Sequence, residues 1–211
     1  MMFGIDLRAS PKRFSTLVAV DGQSRLSFLS TFGDDTELFQ MARNHQPGVI
    51  AIGAPLSLPS GLCCLETSCE CSPLPPQKKG RQSELELTQM GISCFFTSKR
   101  SIVRNLIYRG VALSSQLISL GFQVIEVYPY ATKVVLFGDG VPSKNSADSL
   151  IFMRERLAQL IQGLEPHMDE LDHNTCNAAF NAYTAVLHYR EHTDMLGTAE
   201  EGLLVLPRLP R

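Results

Sequence analysis

The sequence predicts an α/β protein built on one mixed sheet, in which an antiparallel three-strand meander is followed by parallel strands. Three observations predict this class. Short β-type runs separated by turn residues come first, apolar strands then alternate with amphipathic helices, and a Cys- and Pro-rich segment breaks the pattern at residues 57–98. We expect helices on both faces of the sheet, and a single domain over residues 1–211 with 57–98 as an insertion.

The meander is predicted from residues 2–7, 15–21 and 25–32, which are short runs rich in apolar residues. Pro11 lies between the first two runs, and Asp21-Gly22 separates the second from the third. An Asp-Gly pair flanked by strand-forming residues is a strong hairpin signal, so these strands should be antiparallel neighbours. Asp34 then precedes a helical repeat that continues to about residue 43.

The parallel part of the sheet begins at residues 49–52, a continuous apolar run of the kind found in strands buried on both faces. After the insertion, which should contain a short helix near 83–90, a helical repeat runs from 101 to 120 and stops at Gly121. A strand at 122–129, helices at 146–164 and 172–189, and a last strand at 203–206 complete the order. This is the layout of the RNase H-like fold.

Composition bounds the function only loosely. The 211 residues carry a formal net charge of −2, with 44% apolar and 19% charged residues, as in ordinary globular proteins. This charge disfavours a protein that coats nucleic acid by bulk charge, although a local basic patch is compatible with it. The longest apolar runs are far shorter than the roughly 20 residues of a membrane helix. We therefore expect no membrane segment and a cytoplasmic protein with reduced thiols or metal-bound cysteines.

Two acids occupy strands, Asp6 in the first and Glu126 in the strand at 122–129. Functional groups of open α/β sheets gather at the carboxyl ends of strands, and the two carboxylates would converge if these strands were neighbours. Such a pair suits Mg²⁺ or Mn²⁺, and two ions would support attack of water on a phosphodiester. The alternatives are that Asp6 is a buried acid satisfied by backbone N–H groups or by Arg8, and that Glu126 simply reaches solvent.

Further site residues are predicted at the start of the last helix, where Asp172, His173 and Asn177 offer an acid, an imidazole and an amide. His173 and Asn177 lie one helical turn apart and share a face, so both could contribute to the catalytic site. The alternative is that Asp172 only caps the helix while the other two are polar surface residues.

A basic region follows the Pro-rich loop and reaches the start of the helix at 101–120. Clustered cations of this kind suit contact with phosphates, although charge runs are often only solvated surface. The predicted phosphate-binding residues are Lys78, Lys79, Arg81, Lys99, Arg100 and Arg104.

Four cysteines, Cys63, Cys64, Cys69 and Cys71, fall within nine residues of one another. This density could hold Zn²⁺ in a closed tetrahedral site. The spacing matches no standard zinc module, because adjacent cysteines rarely bind one ion together. The other interpretation is a loop with reduced thiols.

Six stretches in order along the chain resemble the family called domain of unknown function 429, the predicted RNase H-like nucleases. They are 4–6, 50–59, 81–92, 126–129, 177–185 and 200–207. The resemblance implies an RNase H-like sheet with an acidic, Mg²⁺-dependent site and a role in phosphodiester cleavage.

Two departures from the family pattern remove negative charge from that site, because Gly53 and Asn177 stand where the family usually has Asp. Two hypotheses follow. The chain is a metal-dependent nuclease of DNA or RNA with a partly degraded acidic site, or a non-catalytic module that keeps the fold and binds nucleic acid or protein. An empty, wide or arginine-occupied pocket between Asp6 and Glu126 would favour the second. Actin-like ATPases share this fold, but the chain has no second Gly-rich phosphate loop.

Overall fold

A computed structural model describes residues 1–10, 12–143 and 146–208 of the chain. Its strands form one sheet in the order β3-β2-β1-β4-β5-β7-β6. The strands are β1 (Met2–Asp6), β2 (Ser15–Val20), β3 (Leu26–Phe32), β4 (Val49–Ile52), β5 (Val124–Val127), β6 (Thr193–Thr198) and β7 (Gly202–Pro207). The α-helices are α1 (Asp35–His45), α2 (Gln82–Gln89), α3 (Arg104–Ser119), α4 (Pro129–Phe137), α5 (Asp148–Leu160) and α6 (His173–Tyr189).

The sheet is mixed in the manner that the sequence predicts. Strands β1, β2 and β3 form an antiparallel meander, and β4, β5 and β7 continue from β1 as parallel strands. Strand β6 closes the far edge antiparallel to β7. A meander leading into parallel strands, with helices around the sheet, is the RNase H-like fold, so the predicted fold class is confirmed.

Helices cover both faces of the sheet, and the side chains of each strand alternate between the two cores. One core contains Ile125 and Val127 of β5 together with apolar residues of α5 and α6. The other contains Ile5 of β1 and Ile52 of β4 together with residues of α1 and α3. Because neighbouring residues of a strand point to opposite faces, the faces of Ile5, Ile125 and Val127 also fix the faces to which Asp6 and Glu126 point.

Helix α6 lies unusually close to β1, and Gly4 makes this approach possible. A Cβ atom on Gly4 would stand 2.0 Å from the backbone N of Ala182 and 2.2 Å from the carbonyl O of Ala178. No side chain fits there, because both neighbours are helix backbone. The close contact brings the polar face of α6, with Asn177 and Asn181, to the end of β1.

Two elements differ from the predictions. Pro129 does not end a strand but is the first residue of α4. Proline is well tolerated there, because the N–H of the first helical residue has no hydrogen-bond partner within the helix. The edge strand β6 was not predicted, since half of its residues are exposed and they lack an apolar alternation. Within the described ranges, no helix combines the length and apolar character needed to cross a bilayer.

Candidate functional site

The structure separates the two acids that were expected to converge. Strand β4 lies between β1 and β5, with Ile5 opposite Ile52 and Ile52 opposite Glu126. Partners across a ladder point to the same face, so Glu126 shares the face of Ile5 and Ile52. Asp6 follows Ile5 directly and therefore points to the other face, towards α6. The prediction that Asp6 and Glu126 share one metal site is therefore wrong. Strand β4 separates their strands, and their side chains point to opposite faces of the sheet.

Glu126 is instead bound to a buried arginine from the insertion. Arg81 donates from Nη1 to Glu126 Oε2 at 2.6 Å and from Nη2 to Oε1 at 2.5 Å. The backbone N–H of Leu56 donates to Oε2 at 2.8 Å. The side chains of Arg81 and Glu126 are only 2% and 5% exposed. Both carboxylate oxygens therefore have charged partners, as in other bidentate pairs.

The same arginine has a second carboxylate partner in α2. Arg81 Nε donates to Glu84 Oε1 at 3.0 Å, and Arg81 Nη1 also donates to the hydroxyl of Ser57. Glu84 further accepts hydrogen bonds from the backbone N–H and the hydroxyl of Thr97. Burial lowers the pKa of Arg81, but the adjacent Glu126 and Glu84 carboxylates raise it more, so the guanidinium stays charged. The network joins the insertion to β5.

Arg81 therefore cannot serve as the phosphate contact that the sequence predicted. Its guanidinium is inside the protein and bound to two carboxylates, whereas a backbone phosphate of a nucleic acid stays at the surface. Arg104 is at the surface but pairs with Glu66 at 3.0 Å. Lys78 pairs with Glu201 at 2.6 Å and lies at the edge of the groove described below.

The sequence did not single out Glu201, which is 2% exposed and just precedes β7. Its carboxylate accepts hydrogen bonds from the backbone N–H groups of Ser60 and Gln82 as well as from Lys78. Burial alone would raise the pKa of Glu201, but these donors lower it below its usual value. The only sequence signal was a Glu pair before the last strand.

On the opposite face, Asp6 lies beside the amide of Asn177, which donates from Nδ2 to Asp6 Oδ1 at 3.4 Å. The amide oxygen of Asn177 accepts from Lys133 Nζ at 3.5 Å, and the same ammonium lies 5.8 Å from the ring centre of Phe180. Lys133 was not predicted, since it lies in the unexpected helix α4. His173 and Asn177 line a neighbouring cleft of about 470 Å³ together with Lys133.

Asp172 is the N-cap of α6, with its carboxylate directed to its own helix. Oδ1 accepts from the backbone N–H groups of Asn174 at 3.0 Å and Thr175 at 2.8 Å. Partial burial raises the pKa of Asp172, but hydrogen bonds from Thr175 and Asn174 lower it below the ordinary value. The catalytic role considered for Asp172 is therefore replaced by capping, and His173 and Asn177 alone of that trio face the cleft.

The donor set around Asp6 does not fit a two-metal site. A Cβ atom on Gly53 would lie 2.5 Å from Nδ2 of Asn181 and 3.2 Å from the carbonyl O of Ile5. Asn181 is fully buried and donates from Nδ2 to that same carbonyl at 2.8 Å. The space for an acid at position 53 is thus filled by an amide. At positions 53 and 177, where further carboxylates would complete such a site, the chain has a glycine and the neutral amide that donates to Asp6, whereas paired hard cations require several carboxylates.

Most of the predicted basic residues surround one groove of about 750 Å³. We call it the basic groove and define it by Lys78, Lys79, Lys99 and Arg100. Lys79 and Arg100 are exposed, and Lys99 Nζ donates to the carbonyl O of Cys69. Phe96 also lines the groove. None of its lining residues is acidic within the part of the chain that the structure describes.

The four clustered cysteines converge in space as well as in sequence. Their sulfur atoms all lie within 4.8 Å of one another, and those of Cys63 and Cys69 are 3.6 Å apart. Hydrogen bonds from the backbones of Cys64 and Cys63 lower the pKa of Cys71 to about 6. The loop that carries them lies between β4 and α2.

The chain matches no protein-family model and no curated protein sequence. Among solved structures, the Thermus thermophilus RuvC structure matches with a TM-score of 0.47 and 13% sequence identity, over 90% of this chain and 96% of that chain. The resemblance to domain of unknown function 429 therefore stays a prediction.

Proposed function

We propose that this protein binds nucleic acid without cleaving it, through the basic groove. The observation that carries the proposal is the placement of the exposed Lys79 and Arg100 on one groove, beside Lys99, with no acidic lining residue in the described ranges. Lys78 also lines this groove, but its charge is paired with Glu201. Contacts from Lys and Arg to phosphates supply most of the sequence-independent affinity of proteins for nucleic acid. Phe96 adds an aromatic surface on which an unpaired base can stack.

The net charge of the chain favours contact with nucleic acid at one local basic surface over attraction by the whole protein. With a net charge of −2, attraction to nucleic acid must come from a local group of cations and not from the charge of the whole chain. Affinity should then fall steeply with salt, in proportion to the few phosphates that the groove contacts.

The state of Glu126 supports binding over catalysis. A nuclease built on this acid would need its oxygens for a metal ion, but both accept hydrogen bonds from Arg81. Releasing Glu126 would leave a buried arginine with one carboxylate fewer, which is costly. We therefore assign Arg81 and Glu126 to the structure of the insertion.

Fluorescence anisotropy with labelled single-stranded and double-stranded DNA and RNA tests the proposal. We expect Lys79→Ala/Arg100→Ala to weaken binding at least tenfold at low salt. The slope of log affinity against log salt should become shallower by roughly 0.7 for each phosphate of a single strand that the variant no longer neutralises. The matched control is Arg13→Ala/Arg43→Ala, which removes two exposed cations elsewhere. Equal affinities of the two double variants, or no binding by the unaltered chain, would reject the groove.

A second candidate function is metal-dependent phosphodiester hydrolysis centred on Asp6. Its support is the position of Asp6 at the carboxyl end of β1, beside Asn177. We expect no cleavage of generic DNA or RNA with Mg²⁺ or Mn²⁺. Cleavage that disappears in Asp6→Asn, while nucleic-acid affinity is kept, would instead establish the hydrolase.

A further inference from the structure

We propose that Cys63, Cys64, Cys69 and Cys71 bind one structural Zn²⁺ that fixes the tip of the insertion. The geometry points to this ion. Zinc–sulfur bonds of about 2.3 Å in a tetrahedron require sulfur atoms about 3.8 Å apart. The Cys63 and Cys69 sulfurs are 3.6 Å apart, and no two of the four sulfurs are separated by more than 4.8 Å.

The spacing of the sulfurs favours a metal over disulfide bonds. Bonded sulfur atoms lie about 2.0 Å apart, well inside the distance between Cys63 and Cys69. A pair of disulfides would also divide the four thiols into two bonded pairs, whereas here each sulfur lies within 4.8 Å of the other three. Thiolate ligands select zinc over the hard cations Mg²⁺ and Mn²⁺. This site is therefore chemically distinct from the one expected at Asp6.

The cysteine loop is held against α3 by contacts that would keep the sulfurs together. Leu65, between the two cysteine pairs, is fully buried, and its backbone N–H donates to the hydroxyl of Tyr108 at 2.6 Å. The next residue, Glu66, accepts from Arg104 and from Tyr108. Tyr108 of α3 thus anchors the middle of the loop through two hydrogen bonds, and zinc would join its two ends.

A zinc site here also has a structural purpose. The segment around the cluster has no helix or strand between β4 and α2, so few backbone hydrogen bonds order it. In small loop-rich segments, metal binding supplies folding free energy that a core cannot. The carbonyl of Cys69 accepts from Lys99, so an ordered cluster also positions that lysine.

Elemental analysis of the full chain, purified under reducing conditions with zinc present, tests the inference. We expect one zinc per chain, and we expect Co²⁺ added to the metal-free chain to give the thiolate charge-transfer bands of a tetrahedral site. Cys69→Ser/Cys71→Ser should lose the metal, whereas Cys94→Ser should keep it, because Cys94 lies outside the cluster and donates to the carbonyl of Glu84.

Alkylation of the unaltered chain provides a readout that does not depend on any variant folding. Zinc should protect four of the six thiols from iodoacetamide, and a chelator should expose them. Iron in place of zinc, disulfides that persist with no zinc uptake after reduction, or equal zinc in Cys69→Ser/Cys71→Ser would overturn the inference. None of these measurements involves nucleic acid, so the zinc proposal can fail while the basic-groove proposal stands, and the reverse.

Discussion

Replacing Arg81 with Ala should destabilise the fold strongly, because it leaves the buried Glu126 carboxylate without a charged partner. Glu126 would lose both charged donors and keep only the backbone N–H of Leu56. Glu84 would be affected less, since it retains both donors of Thr97. Breaking a buried ion pair by removing one partner costs about 3–5 kcal/mol. We expect a decrease of that size in the free energy of unfolding, a large part of the usual total of about 5–15 kcal/mol.

Urea unfolding at neutral pH, followed by circular dichroism, measures this effect against a surface control. Arg104→Ala removes an ion pair whose partners are 39% and 48% exposed. Such pairs contribute about 0–1 kcal/mol, so this variant should lie close to the unaltered chain.

A double variant separates the effect of an unpaired charge from that of poorer packing. Arg81→Met/Glu126→Leu removes both charges and should be more stable than Arg81→Ala alone, because no unpaired carboxylate remains at β5. If Arg81→Ala loses no more than Arg104→Ala, or if the double variant is the less stable of the two, the assignment of the pair to the stability of the insertion is wrong.

Three further predictions concern close contacts and pH. Gly53→Asp should lower the free energy of unfolding by about 1–3 kcal/mol, because the new Cβ would lie 2.5 Å from the Asn181 amide. Adding Asn181→Ala should recover part of that loss. A Gly53→Asp variant as stable as the unaltered chain would show that this position is not crowded. Gly4→Ala should cost more than about 3 kcal/mol, since its Cβ meets helix backbone, whereas Gly140→Ala, with open space around it, should change stability by less than about 0.5 kcal/mol. The lowered pKa of Glu201 means that its ionised form stabilises the fold above its unfolded pKa and that this contribution is lost as pH falls through the folded pKa. The stability advantage of the unaltered chain over Glu201→Gln should therefore shrink as pH falls from neutral to below 4.5, and a constant difference would argue against the shift.

The elements of the fold were predicted where local pattern and packing agree. The run at residues 49–52 is apolar throughout and becomes a buried central strand, and Asp21-Gly22 leads into the second hairpin strand. The edge strand β6 and helix α4 were missed. A partly exposed edge strand has few apolar residues from which to predict it. The helix that begins at Pro129 directly after a strand lacks the polar N-cap residue that usually marks a helix start in a sequence.

The candidate site could be predicted only in part, because its residues come together from distant positions. The acids and cations were identified by type, and the basic groove gathers four of the six predicted phosphate-binding residues. Their partners could not be read from the sequence. Glu201 pairs with a lysine 123 positions away, and Arg81 reaches an acid 45 positions along the chain. Such pairing depends on which surfaces the fold brings together.

The sequence by itself determined the mixed sheet, the density of cysteines and the absence of acids at positions 53 and 177, since these follow from local residue types and periodicity. Only the tertiary structure decided that β4 separates β1 from β5 and that Asp6 and Glu126 point to opposite faces. It also decided that Arg81, predicted at the surface, is buried against Glu126. The physical reason is that a strand's pattern fixes its alternation but not its neighbours, so the partner of each charge is set by packing across the whole sheet.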